Sequence, residues 1–214
     1  MLEYPENMQG NWGQHFDNQQ PLVLELACGR GEYTVALSRM FPGTNFIGVD
    51  VKGNRIYIGA NICLKEQLPN AAFLRTQISR LTDYFLPGEV SEIWITFPDP
   101  QLRTSRAKKR LTHPQFLRCY QQILATDGVI HLKTDSPHLY AFTKTVIELY
   151  QLELVEDYDN LYHQSDNPVM KIKTHYESLD IAGSNTIYYI KFRLPAIIPN
   201  LDDELQALLK ETEN

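Results

Sequence analysis

Cysteine is scarce and unpaired in this chain of 214 residues: Cys28, Cys63 and Cys119 stand far apart and are odd in number. Isolated thiols make neither a disulfide framework nor a zinc site, so reduced thiols are expected. The six histidines are scattered without His-Glu-x-x-His or comparable spacing, and no metal is assigned. No apolar run is long enough to cross a bilayer. The N-terminus has no basic segment followed by an apolar one, the pattern of a secretory signal, so a cytoplasmic location is expected. An excess of positive charge is missing too. Twenty Lys and Arg against 26 Asp and Glu leave a formal charge of −6, which excludes a protein that coats nucleic acid over its whole surface. Any RNA or DNA must be held locally, against an acidic background.

One stretch suits local binding. Ile93-Trp94-Ile95-Thr96 reads as a buried strand and runs into Phe97-Pro98-Asp99-Pro100. The two prolines hold Asp99 in backbone that can be neither helix nor ladder, because proline lacks the N–H and restricts its neighbour. Arg103, Arg106, Lys108, Lys109 and Arg110 follow at once. A stiff acidic turn beside a mobile basic arm describes a base pocket next to a phosphate grip. The plainer reading is a turn followed by a solvated basic face.

Around this stretch the chain alternates. Residues 1–21 are polar and read as an extended arm anchored by Trp12 and Phe16. Strands are expected at 22–26, 45–50, 71–75, 92–96 and 128–134. A helix carrying Val35, Leu37 and Met40 is expected, broken by Pro42-Gly43, then helices at 56–68, at 113–124, closed by Asp127-Gly128, and at 137–150, where Ser136-Pro137 supplies a cap and a first turn. Two late strands, 152–158 and 186–193, have no helical pattern between them. Such alternation implies a doubly wound α/β sheet, mostly parallel, closed by an antiparallel strand. The tail places Leu201, Leu205, Leu208 and Leu209 on one helical face, which is expected to pack on its own domain. A single domain is expected, with core 22–194 between the arm 1–21 and the tail 195–214.

In such sheets ligands sit at the carboxyl ends of the strands. The first strand ends in Glu25-Leu26-Ala27-Cys28-Gly29-Arg30-Gly31 and the second in Asp50, which is placed to accept hydrogen bonds from a ribose diol. A dinucleotide fingerprint would need a third glycine at 34, where this chain has Thr34. Glu25, an acid beside the turn, suits a sulfonium or α-ammonium cation and would repel a pyrophosphate. S-adenosylmethionine is therefore favoured over NAD.

These residues resemble those of bacterial tRNA (guanine-N7)-methyltransferases, which methylate guanine 46 of the tRNA variable loop. The likeness runs from about Leu22 to Phe192 and rests on Glu-Leu-Ala-Cys-Gly-Arg-Gly-Glu, Gly-Val-Asp-Val-Lys, Phe-Pro-Asp-Pro with its basic run, Lys-Thr-Asp at 133–135 and Thr-His-Tyr-Glu at 174–177. It implies a Rossmann-like class I methyltransferase fold. It implies that Glu25, Gly29, Gly31, Asp50, Gln77 and Asp99 bind S-adenosylmethionine, with Asp99 in the active site. It implies that Arg103, Asp135, Thr174, Tyr176 and Glu177 contact substrate, and that Ser105 to Arg110, with Arg106, Lys108, Lys109 and Arg110 as its cations, grip tRNA. The chain departs from the family pattern at Ala27 (for glycine), at Gln77 (for an acid) and at Gln101-Leu102-Arg103 (for an aromatic and a lysine).

Other readings keep the cofactor and change the acceptor to an exocyclic base amine, a small molecule or a protein. Still others drop catalysis for a tRNA-binding subunit, or take NAD instead. The sequence leaves monomer and homodimer open.

Overall fold

Residues 1–179 and 186–211 are described by the structure, a computed structural model. Eight strands form one sheet: β1 (Leu2–Glu3), β2 (Leu22–Leu26), β3 (Asn45–Asp50), β4 (Ala71–Arg75), β5 (Val90–Thr96), β6 (Leu124–Thr134), β7 (Glu153–Tyr158) and β8 (Tyr188–Arg193). Their order is β1-β4-β3-β2-β5-β6-β8-β7. The pairs from β1 to β6 are parallel, and β8 runs antiparallel to both β6 and β7. Every residue of β2 and β3 is buried, as expected for central parallel strands covered on both faces. The helices are α1 (Trp12–Phe16), α2 (Glu32–Met40), α3 (Gly53–Glu66), α4 (Pro114–Gln121), α5 (Pro137–Leu149), α6 (Leu161–Gln164), α7 (His175–Ser178) and α8 (Asp202–Glu211).

The doubly wound sheet and its antiparallel closure agree with the sequence pattern. β2 lies between β3 and β5, so the strand order reverses there and the crevice at the carboxyl ends opens. Ser136 Oγ accepts from Leu139 N at 3.2 Å and caps α5, as its place before Pro137 implies.

Three local expectations need correction. Trp12 and Phe16 anchor the first 21 residues as expected, but the arm is not simply extended, since Trp12–Phe16 is a helix and Leu2–Glu3 a strand. β1 pairs with β4, Trp12 stacks on Phe85 at 5.3 Å, and its Nε1 donates to Tyr84 O at 2.9 Å. The helix expected to reach Leu124 stops at Gln121, and Leu124 pairs with Val90 instead. Asp127-Gly128 then falls within β6, where the register with β5 shifts between Val90 and Glu92. Strand pairing overrode local helix preference there. The basic segment also differs, being a folded 3₁₀ turn over Thr104–Lys109.

The tail helix α8 packs on its own domain. Leu205 is buried, and Asp202 accepts from Arg118 Nη2 and from Tyr150 OH, each at 2.7 Å.

Candidate active site

Four strand ends converge on one cleft of about 630 Å³, within the range usual for small-molecule sites. Ala27 follows β2, Asp50 ends β3, Phe97 to Pro100 follow β5, and Asp135 follows β6. Lys52, Arg55, Leu102, Ser136, Pro137 and His138 complete the lining.

The turn after β2 is bound by Asp50. Ala27, Gly29 and Gly31 all have positive φ, at 54°, 55° and 72°. At Ala27 an L-residue holds this conformation where a glycine would be unstrained. Asp50 Oδ2 accepts from Gly29 N at 3.0 Å and Oδ1 from Lys52 N at 2.9 Å. One carboxylate thus ties the glycine turn to the start of α3. Each oxygen keeps a further lone pair for a hydroxyl donor.

Glu25 lies beneath this turn, buried and with both oxygens hydrogen-bonded. Its Oε2 accepts from Thr34 N at 2.8 Å and from Thr34 Oγ1 at 2.5 Å, and its Oε1 from Thr96 Oγ1 at 3.1 Å. Thr34, which occupies the position of the absent third glycine, serves as the partner of Glu25. Burial raises the Glu25 carboxyl to about 7, against the pull of its threonine hydrogen bonds. The folded chain therefore holds this proton more tightly than the unfolded one. That stability is fully present below about pH 4.5 and is lost as pH rises through about 7. Between pH 4 and 8 wild type should lose about 2–3 kcal/mol more than Glu25→Gln. Urea unfolding of both proteins at the two pH values checks this, and parallel losses would refute it.

Asp99 is exposed at the mouth of the cleft, and its Oδ1 accepts from Gln101 N at 3.0 Å. Positive φ values at Phe97 (47°) and Gln101 (48°) bracket it, so the Pro-Asp-Pro turn is held in a strained backbone. Arg103 and Arg106 are exposed beside Asp99 and share a smaller hollow with it. Lys108 and Lys109 are exposed further along the 3₁₀ turn.

Arg110 is a correction. Expected among the tRNA-gripping cations, it is 5% exposed and points inward. Its Nη2 donates to Gln101 O at 3.1 Å and Leu102 O at 3.3 Å, and its Cζ lies 4.5 Å from the centre of the Phe142 ring. It anchors the loop that carries Asp99 and is unavailable to phosphate.

The remaining expected residues separate into two groups. Asp135 lines the cleft. Gln77 is exposed at the start of a 3₁₀ turn and is not part of the lining. Thr174 is buried, and its Oγ1 accepts from Glu177 N at 3.1 Å, which caps α7. Glu177 is nearly enclosed: Oε2 lies 3.2 Å from Lys133 Nζ, and Oε1 accepts from Tyr162 OH. The side chain of Tyr176 lies outside the described residues. Burial pushes the Lys133 ammonium down to about 8 against the upward pull of Glu177.

Sequence reasoning overlooked Lys52, Arg55 and His138 as cleft residues. Lys52 and Arg55 follow a strand-end acid by two and five positions, and His138 opens a helix at a strand's end. Position relative to the strand ends was the available signal. Among the described residues no group of three or more His, Cys, Asp or Glu is placed to hold a metal, and no helix is long and apolar enough to cross a membrane.

Comparison with known proteins accords with this geometry. A family model described as "Putative methyltransferase" matches residues 19–190. The tRNA (guanine-N(7)-)-methyltransferase of Bacteroides thetaiotaomicron is 50% identical over 194 residues, 89% of this chain and 76% of that protein. The chain belongs to the tRNA (guanine-N7)-methyltransferase family. The family's Porphyromonas gingivalis enzyme is 49% identical over 190 residues, 87% of this chain and 77% of its own. Among solved structures, the 16S rRNA methyltransferase KamB superposes with a TM-score of 0.67 at 16% identity, covering 89% of this chain and 96% of that one. At that identity the likeness shows the fold, a class I methyltransferase sheet, and no more. The three positions expected to depart from the family pattern fall at distinct places. Ala27 keeps the positive φ, Gln77 stands outside the cleft, and Leu102 adds apolar wall to it.

Proposed function

We propose that this chain transfers the methyl group of S-adenosylmethionine to N7 of guanine 46 in tRNA. The observation that carries this reading is the position of Asp99. It is exposed on a cleft that Ala27, at the start of the glycine turn, and Asp50 also line, and it adjoins exposed cations on a folded arm. The lining suits the cofactor: Asp50, Asp99 and Asp135 face a space that would hold a sulfonium and an α-ammonium, and Phe97, Pro98, Pro100 and Pro137 give it apolar walls. Asp50 would take the ribose hydroxyls. Bound there, S-adenosylmethionine supplies an electrophilic methyl group.

Guanine N7 has a free lone pair and no proton to lose, so no general base is needed. The chain's task is positioning, with the acceptor nitrogen aligned at near-attack distance. Asp99 suits the N1–H and N2–H₂ donors of the Watson–Crick edge of an extruded guanine. Glu177 is engaged by Lys133 and Tyr162, so edge reading is assigned to Asp99, and Glu177 holds the substrate-facing segment together. Arg103, Arg106, Lys108 and Lys109 take phosphates. Because the arm is already folded, with Gln115 Nε2 donating to Lys108 O at 2.7 Å, little ordering accompanies binding.

Incubation with labelled S-adenosylmethionine and unmodified tRNA, followed by nucleoside analysis, tests the reading. 7-Methylguanosine at one variable-loop position is expected. Label on an exocyclic amine, or none in tRNA, would overturn it. Lys108→Ala with Lys109→Ala should weaken tRNA binding and reduce the slope of log K against log salt by roughly 1–2, without changing thermal stability. Binding measured at a series of salt concentrations checks this, and an unchanged slope would remove the arm from the interface.

A further inference from the structure

The proposed mechanism leaves a fully buried cation unused. Lys133 lies near the end of β6, is 0% exposed, and its three ammonium N–H groups have four oxygens within hydrogen-bond distance: Met170 O at 3.0 Å, Ile172 O at 2.8 Å, Tyr162 OH at 3.0 Å and Glu177 Oε2 at 3.2 Å. All four belong to one stretch, residues 162–177, and none to its own strand. Its ammonium also lies 5.5 Å from the centre of the Tyr33 ring, 5.6 Å from that of Phe97 and 5.2 Å from that of Tyr162. Tyr33 belongs to the helix that leaves the glycine turn, and Phe97 opens the Pro-Asp-Pro turn. One charge therefore sits where the cofactor turn, the Asp99 turn and the segment carrying Thr174 and Glu177 meet.

A lysine here is costly. An apolar side chain of similar length would fill the space without desolvating a charge. What the ammonium adds is direction. Two of its bonds go to main-chain carbonyls, so it fixes the backbone of the segment and not merely a side chain. A second tie lies on the cofactor side, where His175 N donates to Glu32 Oε1 at 3.2 Å and Glu32 is the first residue of α2.

We infer that Lys133 is a positioning residue that clips segment 161–178 to the strand ends, holding Thr174 and Glu177 in register with the cofactor turn and Asp99. This rests on the proposed function for its consequence in turnover, but the clip itself is a property of the folded chain. The side chain touches neither reacting group, so its effect must pass through the segment.

The test uses the full chain with Lys133→Met, and Tyr162→Phe as a milder variant that keeps the Lys133–Glu177 pair. Calorimetry with S-adenosylmethionine should give a dissociation constant within about threefold of wild type for both. Lys133→Met should lower kcat/KM for unmodified tRNA by at least about 100-fold, mainly in kcat, and Tyr162→Phe by about fivefold. Trypsin cleavage after Lys171 and Lys173, both exposed in the segment, should accelerate by at least about tenfold in Lys133→Met, with sites elsewhere in the chain unchanged. A purely structural role would instead raise cleavage throughout the chain. Wild-type turnover and wild-type cleavage in either folded variant would overturn the inference. If wild type forms no 7-methylguanosine while Lys133→Met still opens the segment to trypsin, the clip stands and the functional reading fails.

Discussion

Asp99→Ala should all but abolish methyl transfer to tRNA while the protein stays folded. The side chain is exposed, and the one hydrogen bond it accepts among the described residues, from Gln101 N, belongs to a local turn, so the loss of stability is small. The loss of activity is not. Two charge-assisted hydrogen bonds to the guanine edge, at about 1.5–3 kcal/mol each, amount to roughly 10²–10⁴ in kcat/KM. Asp99→Asn separates the two roles, since its side-chain oxygen can still accept from Gln101 N while the negative charge is gone. It should keep the wild-type melting temperature and remain severely impaired. Circular dichroism beside a methylation assay decides the matter, and near-normal turnover by either variant would remove Asp99 from the active site.

Arg110→Ala has the second large effect, and it differs in kind from that of its neighbours. The guanidinium is enclosed, donates to Gln101 O and Leu102 O, and stacks on Phe142. Truncation leaves two carbonyls without their donor and removes packing from α5, at a cost of about 2–4 kcal/mol. For a chain of this size the melting temperature should fall by about 5–15 °C. Activity should fall with it, because the same two carbonyls flank the turn that presents Asp99. Arg106→Ala, four residues earlier and exposed, should change stability by no more than about 0.5 kcal/mol and act on tRNA affinity alone. Thermal melts of the two variants side by side separate an anchor from a phosphate contact. Equal stability would place Arg110 back on the surface.

Four acidic positions on one rim of the sheet could be placed before the fold was known, and for one reason. Glu25, Asp50, Asp99 and Asp135 each belong to the last residues of a strand or to the turn after it, and in a doubly wound sheet all such positions lie on one rim. Strand–helix alternation alone was enough to bring them together. Alternation does not say which way a side chain points after the rim. Glu25 turns down to Thr34 and Thr96, whereas Asp50 and Asp99 line the cleft. Nor could it separate Arg110 from Lys108 and Lys109, since a run of cations reads as one patch until a 3₁₀ turn rotates one of them inward.

The sequence by itself determined the class of sheet, the strand ends that build the site and the family. Periodicity and strand-end chemistry are local properties, readable over a few residues. Only the tertiary structure decided which charges are spent inside the molecule. Lys133 holds residues 162–177, Arg110 holds the Asp99 loop and Glu177 is enclosed by both Lys133 and Tyr162. Those pairings join residues up to 44 positions apart. A charge's role depends on whether burial has taken it from water and on what the fold supplies in return, and neither is written in its neighbours along the chain.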